Sequence, residues 1–393
     1  MQLHDLSNFL SGKFSLDPPH YSLDDDVICH TYHFQSDVSY PFAEEALSSC
    51  HSSEAYLDSG EKENQQFRFA VFSPADKKSY SDAIILLHGL NERIWTKYLP
   101  WAYQLALQTQ KPVIMFPIAY HINRSPQTWS APRLMNLLSA YRKTALPEVH
   151  NSSFANVALS MRIDSYPKLF LLSGIQTYFD LIKLVTGIKA GDFNLFEKGA
   201  TIHFFAYSIG ALLTETLLIS NPLQLFSDSR AFFFCGGSTF DKINGSSRAI
   251  MDSQAFTHLK NSMLNHTAIP EKEIYLPKPL EHLLLDGWKA FLVMTGSKKY
   301  VSQRNIAFKH LVNRIKAIGL VGDDVVPGYA IRETLWKNNC FDVDILDFPF
   351  KYSHETPFPL NQQNQNDAVT QSFQKVFIQA SLFLFSHPNV TSS

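Results

Sequence analysis

The chain has 393 residues, 34 basic against 36 acidic side chains, and 45% hydrophobic residues. That is a globular composition with ample apolar surface for a large core, and its even charge without a Lys/Arg cluster argues against a nucleic-acid partner. The opening MQLHDLSNFLSGKF has no basic segment followed by an apolar run, and no run approaches the roughly 20 apolar residues of a membrane span. The expectation is a cytoplasmic protein without a signal peptide or span. Cys29, Cys50, Cys235 and Cys340 lie far apart with no C-x-x-C pair, and read as mostly buried thiols.

Residues 1–66 read as an N-terminal extension with at least one strand, VICHTYHF at 27–34. His30 and His33 are three apart on that strand and face opposite sides, which speaks against a shared metal. Residues 52–66 are polar and read as a loop, and FRFAVF at 67–72 as a second strand. DAIILLHG at 82–89 is a buried strand running into His-Gly. A helix over 95–110 follows, then the strand KPVIMFPIA at 111–119 and the loop YHINRSP at 120–126. Residues 127–165 form a polar, aromatic-rich insertion with no assigned elements. Apolar spacing predicts a helix over 170–185.

Residues 200–222, ATIHFFAYSIGALLTETLLISNP, hold the clearest signal. Ile202, Phe204 and Ala206 alternate with His203, Phe205 and Tyr207 in a buried strand. From Ile209 the apolar period becomes helical, and Asn221-Pro222 stops the helix. Ser208 stands at the corner, with the small residues Ala206 and Gly210 two positions to either side. A tight strand-to-helix turn needs such neighbours, because larger side chains would strike the adjoining elements. Further on come the strand RAFFFCG at 230–236 and a stretch, 238–310, that breaks the alternation with turns, prolines and several helices, as a cap does. The strand IKAIGLV at 315–321, a helix at 328–337, the strand VDILDF at 343–348 and a last helix near 368–385 complete the chain. The fold class is therefore α/β, a mostly parallel central sheet with helices on both faces and an inserted cap. No G-x-G-x-x-G or G-x-x-x-x-G-K-[ST] loop occurs, so no nucleotide cofactor is expected. No metal is expected either.

In open parallel sheets, ligands gather at the carboxyl ends of the strands. Those ends carry His88-Gly89-Leu90-Asn91, His121-Ile122-Asn123-Arg124, Ser208, Cys235-Gly236-Gly237, Asp323-Asp324 and His354. A serine hydroxyl needs a base to take its proton, and the base needs an acid to hold its tautomer. Ser, Asp and His follow one another at independent strand ends.

HGLN after an apolar strand, AYSIG at a strand-helix corner, GDDVVP after a late strand, and a final His together resemble the α/β-hydrolase superfamily over roughly residues 67–385, insertions aside. HGLNERIWTKYLPWA and FPIAYHINRSPQTW are further similar to a bacterial α/β-hydrolase-type family of unknown function. The resemblance implies Ser208 as nucleophile, His354 as general base, and the backbone N–H groups of Leu90 and Ile209 as oxyanion hole. The sequence departs from the pattern in Ala206 for the first Gly and in HGLN for HG-x-G. The superfamily acid commonly stands four residues before a proline, as Asp323 does before Pro327. Adjacent side chains of an extended segment face opposite ways, so Asp323 is favoured and Asp324 is the alternative acid.

Asn91, Glu92, Arg93, His121 and Arg124 should crowd the same edge. They form either a loop-bracing ion-pair network around Glu92 or a rim that grips a substrate carboxylate or phosphate. His88 reads as a brace of the oxyanion loop and His203 as a satisfied buried histidine. The expected protein is a serine hydrolase acting on a small-molecule acyl ester, or an amide, through an acyl-enzyme. Residues 67–237 and 311–393 would form the core, with 238–310 the lid. The rival is a non-catalytic binding protein on the same fold.

Overall fold

The apolar runs pair into a nine-stranded sheet in a computed structural model that describes residues 1–40, 61–265, 268–269, 271–336, 341–360 and 365–385. The strands are β1 (His20–Ser22), β2 (Val27–Gln35), β3 (Gln66–Pro74), β4 (Tyr80–Leu87), β5 (Val113–Met115), β6 (Phe196–Tyr207), β7 (Ala231–Phe234), β8 (Ile315–Leu320) and β9 (Asp342–Leu346). Their order is β1-β2-β3-β5-β4-β6-β7-β8-β9. The pairs from β5 to β9 are all parallel, and the pairs joining β1, β2, β3 and β5 are antiparallel.

Successive side chains of a strand face opposite ways, so a strand covered on both faces feeds two cores. Ile85 and Leu87 of β4 join one hydrophobic cluster, Ile84 and Leu86 the other. The helices α1 (Leu3–Lys13), α2 (Leu99–Thr109) and, at the end of the chain, 366–385 pack together on the second cluster's face. On the other face come α3 (Pro132–Ala145), α4 (Val157–Ser165), α5 (Leu169–Ala190) and α6 (Ile209–Ser220), then α7 (Ser253–Asn265), α8 (Glu281–Val293) and α9 (Val301–Lys309). The terminal helix is α10 (Asn366–Phe385).

The chain leaves β4 for β5 on one side, then crosses back to β6 on the other. β4 is thus the point where winding reverses, and loops leaving β4 and β6 part from each other there and open a crevice. That crevice receives His88–Leu90 from one side and Ser208 from the other.

Several elements differ from the sequence expectation. Within the N-terminal residues 1–66, of which 41–60 lie outside the described residues, the expected strand is β2, and with β1 it continues the sheet, Val27 opposite Pro74 and Gln35 opposite Gln66. Leu3, Leu6 and Leu10 are buried with the core helices. The strand at 111–119 shortens to Val113–Met115, between Pro112 and Pro117, which have no N–H for a ladder. The helix at 95–110 begins at Leu99, with Pro100 in its first turn. The helix at 328–337 is a short α-turn, Gly328–Ile331, that widens into a π-type turn over Arg332–Trp336.

The unassigned insertion 127–165 carries α3 and α4. α4 packs on α7, and Arg142 of α3 links them, its Nη2 3.0 Å from Asp252 Oδ1 and its Nη1 3.0 Å from Asp164 Oδ2. The insertion and residues 238–310 therefore share one helical layer, and α8 lies along α6. Helix Leu169–Ala190 is long and apolar enough to cross a membrane by length and composition, contrary to the expectation of no such run. In this fold 67% of its most apolar window is buried, and it packs along β6. Cys29 and Cys235 are free and buried; Cys50 and Cys340 lie outside the described residues. His30 Nε2 lies 3.0 Å from Ser73 Oγ while His33 is exposed, on the opposite side of β2.

Two glycines predict opposite responses. A methyl group on Gly174, inside α5, would meet nothing within 4 Å; on Gly210 it would lie 2.8 Å from Leu87 O and 3.0 Å from His88 O. Gly174→Ala is expected to raise stability by about 0.5–1 kcal/mol through helix entropy. Gly210→Ala is expected to lower it by about 1–3 kcal/mol through the clash. Urea unfolding midpoints measure both; shifts of the same sign would show that helix propensity alone governs them.

Candidate active site

Ser208 ends β6 and starts α6 with φ 56 and ψ −122. Such a backbone costs of the order of 1–3 kcal/mol for a residue with a side chain. It is held by close approach on both flanks. Gly210 lies under the carbonyls of Leu87 and His88 at the end of β4. At Gly236, after β7, a methyl group would come within 2.6 Å of Ala211 Cβ and 3.0 Å of Ser208 O. Ala206 is fully buried two residues before the corner.

His354 Nε2 lies 2.7 Å from Ser208 Oγ, and His354 Nδ1 lies 2.7 Å from Asp323 Oδ2. All three residues are buried, Ser208 at 7% exposure being the most accessible. An ionised carboxylate only accepts hydrogen bonds, so Nδ1 carries the imidazole proton and the Nε2 lone pair faces the serine hydroxyl. Asp323 Oδ1 accepts from the N–H groups of Val325 at 2.9 Å and Val326 at 2.8 Å, which sets the carboxylate plane. Asp324 is exposed and turned away. Of the two neighbouring acids, Asp323 is therefore the one brought to His354.

Tyr207, which the sequence reading passed over as strand filler, fixes the histidine. Its ring stacks on that of His354 at 5.2 Å and 20°, and its hydroxyl donates to the His354 carbonyl. Its place directly before the corner serine is the only sequence signal for this contact. Cys235 offers its sulfur within 4.8 Å of ligating atoms of Asp323 and His354. Burial first, and then the Asp323 charge, push its thiol well above the usual range, so it remains S–H, whereas a metal ligand would need the thiolate.

Beside Ser208, the loop after β4 is held by several bonds. Gly89 N–H donates to Tyr98 Oη at 3.0 Å, and the Tyr98 hydroxyl donates to Glu92 Oε1 at 2.7 Å. His88 donates from Nδ1 to Gly89 O at 2.8 Å and accepts at Nε2 from Ile118 N–H at 2.9 Å. Both ring nitrogens of His88 are used, and burial holds its pKa far below the usual value, so it is a neutral brace. The N–H of Leu90 and that of Ile209, the first of α6, have no acceptor among the described residues.

The remaining rim residues divide. Asn91 donates to Ala155 O at 2.9 Å and Ala249 O at 2.6 Å, and accepts from Arg93 Nη2 at 2.6 Å, tying the loop to both insertions. Glu92 pairs with Lys97 rather than with an arginine. Arg124 is a correction: it belongs to no substrate rim. It is fully buried, 2.9 Å from Asp180 Oδ2, with further bonds to Asn64 O and Pro117 O and its guanidinium 4.1 Å over the Phe67 ring. Arg93 stacks over Trp129 at 5.3 Å, and its Nε is buried without a partner. Burial, and then the charge of Arg162, pull its pKa down to about 10. His121 donates from Nδ1 to Ala119 O at 2.8 Å, leaving Nε2 buried and unpartnered. Desolvation lowers its pKa to about 4. His203 accepts from Arg230 N–H at 3.2 Å and lies 3.8 Å from Asp82, a buried structural histidine.

A strained corner serine with Ser, Asp and His in that chain order, on a sheet of this kind, is the α/β-hydrolase arrangement. A family model matches residues 20–385. The chain belongs to the family of unknown function DUF6051. No curated protein matches this DUF6051 chain. Among solved structures it is similar to carboxyl esterase 2 from the mycorrhizal fungus Tuber melanosporum, with 10% identity, 97% of each chain covered and a TM-score of 0.46. It is also similar to a cold-adapted esterase from an Arctic intertidal metagenomic library, with 8% identity, 95% of this chain and 99% of that one covered, and a TM-score of 0.43. A third likeness is to a peroxisomal α/β-hydrolase from Saccharomyces cerevisiae, with 12% identity, 94% and 93% covered, and a TM-score of 0.42. Likeness at this identity concerns the path of the chain and not its substrate.

Two stability predictions follow from the buried charges. Asp180→Ala strands the Arg124 guanidinium and is expected to cost about 3–5 kcal/mol in urea unfolding; a loss below about 1 kcal/mol would mean that the carbonyls and the Phe67 ring suffice. His121 is neutral when folded but titrates from 6.5 when unfolded. The unfolded chain therefore binds the extra proton between about pH 6.5 and 4, and stability falls as pH drops through that window. His121→Asn should flatten the slope there by up to about 1.4 kcal/mol per pH unit. An unchanged slope would place the titration elsewhere.

Proposed function

We propose that this chain is a serine hydrolase that cleaves acyl esters through an acyl-enzyme. The carrying observation is the continuous relay from Ser208 Oγ through His354 to Asp323, at 2.7 Å for each link.

The substrate carbonyl sits between Ser208 Oγ and the two free N–H groups of Leu90 and Ile209. Ser208 Oγ attacks the carbonyl carbon while His354 Nε2 takes its proton. The carbonyl oxygen becomes an oxyanion, and the N–H groups, fixed by the braced loop and the start of α6, stabilise it. Asp323 stays ionised and offsets the imidazolium charge. The intermediate collapses, the C–O bond to the alcohol breaks, and His354 returns the proton to the leaving oxygen. A water then gives its proton to Nε2 and attacks the acyl carbon, and the second collapse releases the acid and restores Ser208. Amide cleavage runs through the same steps with a nitrogen leaving group.

A fluorophosphonate probe is expected to label Ser208 alone, and Ser208→Ala to abolish labelling. Folded protein that fails to react would favour the non-catalytic reading. Asp323→Asn should lower kcat for a p-nitrophenyl ester by roughly four orders of magnitude, as loss of a triad aspartate does. Asp324→Asn should change it little; the reverse pattern would assign the acid to Asp324.

A further inference from the structure

An apolar pocket lies between α5, α6 and α8. Its walls are apolar side chains such as Phe170, Leu212, Leu284 and Phe291, and one end is formed by Leu90 and Ile209. Those two residues carry the N–H groups assigned above to the oxyanion, so the cavity borders the residues that would hold the acyl carbonyl. Gly174 of α5 faces it, and the open space there is what the missing side chain leaves.

One charged group enters this apolar chamber. Arg162 of α4 lines it and is 7% exposed. Its guanidinium is held between two rings, 4.9 Å over Tyr120 and 4.8 Å over Trp129. Among the described residues it has neither an ion pair nor a side-chain hydrogen bond. Buried and half-buried acids of the site and the insertions are paired elsewhere: Asp180 with Arg124, Asp164 and Asp252 with Arg142, and Glu92 with Lys97. Arg93 rests on the same Trp129 ring and also has no described carboxylate partner. Two guanidinium groups thus share one indole with no carboxylate partner among the described residues, although burying an unpaired charge is costly. Ring contacts offset part of that cost but satisfy none of the N–H donors. Of the other polar side chains lining the chamber, Ser173 donates to Leu169 O and Thr216 to Leu212 O, while His121, its proton on Nδ1, presents only the lone pair of its unpartnered Nε2, which cannot donate to an anion.

We infer that Arg162, supported by Arg93 across Trp129, receives the carboxylate of the substrate. Resting on the hydrolase reading, this makes the substrate an ester whose acyl group is a hydrocarbon chain carrying a carboxylate away from the scissile bond. The guanidinium fork matches a carboxylate in two parallel hydrogen bonds, while the apolar walls take the intervening methylenes. One of the two readings the sequence offers for Arg93 and Arg124 is an anion grip. Arg124 is consumed by Asp180, and the role moves to Arg162, inside the insertion the sequence left unassigned.

The test compares p-nitrophenyl hexanoate with mono-p-nitrophenyl adipate, equal in acyl length and different in the terminal carboxylate. Wild type is expected to favour the adipate half-ester in kcat/KM. Arg162→Gln should lower that preference roughly ten- to a hundredfold, mostly through KM, and Arg162→Lys should restore part of it. A wild type that favours hexanoate, or a preference unaltered in Arg162→Gln, overturns the proposal. A second arm does not depend on turnover. Adipate is titrated calorimetrically into Ser208→Ala and into Ser208→Ala/Arg162→Gln, with melting temperatures checking that both are folded. Binding to the first and not the second supports the anion site even where no ester is cleaved, and then only the hydrolase reading fails. Absent or equal binding overturns the site.

Discussion

The left-handed backbone of Ser208 exists because two neighbouring strands press on it. Leu87 and His88 at the end of β4 leave room for no more than Gly210, and Gly236 after β7 sits against Ser208 and Ala211. A serine free to relax would drop into an ordinary helical or extended conformation and turn its hydroxyl away from His354. The strain is local, but the parallel sheet supports it, since the register Leu87 opposite Ala206 and Tyr207 opposite Phe234 sets how near the three strand ends approach. Tyr207 then passes that order to the last loop by stacking on His354 and bonding its carbonyl. One crowded corner thereby positions both the proposed nucleophile and its base.

Buried charge is handled in two ways in this molecule. Arg124 and Arg142 lie in full sets of partners: carboxylates for both, and carbonyl oxygens and a ring face for Arg124. These residues fasten loop to helix and insertion to insertion, and removing a partner leaves an uncompensated ion. Arg93 and Arg162 instead rest on aromatic faces, and among the described residues Arg93 Nε and the Arg162 guanidinium have no acceptor. The contrast matters because satisfied ion networks serve architecture, whereas unsatisfied donors beside a cavity are available to a ligand.

The helical layer formed by both insertions gives the cavity its shape. α8 supplies Trp288 and Phe291, and α4 supplies Arg162. On the other side of Leu90 and Trp129 runs a second cleft, lined by Arg93, Lys97, Glu355 and Phe358. An apolar pocket thus lies on one side of the proposed oxyanion groups and a mixed polar cleft on the other.

The sequence by itself determines the strand-helix alternation, the corner at Ser208 and the strand-end residues Asp323 and His354, because these depend on local period, small residues and turn chemistry. It also narrows the acid to one of two neighbours, and the fold class follows from the alternation. Boundaries shift where Pro112 and Pro117 cut a ladder, a local effect readable in principle. What only tertiary structure decided are pairings between distant residues. Arg124 meets Asp180 across 56 positions and Arg142 meets Asp252 across 110, so neither charge pattern is periodic in sequence. The same holds for β1 and β2 joining the main sheet and for Arg162 entering the cavity. A side chain's partner is set by which surfaces the sheet and its insertions bring into contact, and that is a property of packing over long separations, not of any stretch of the chain.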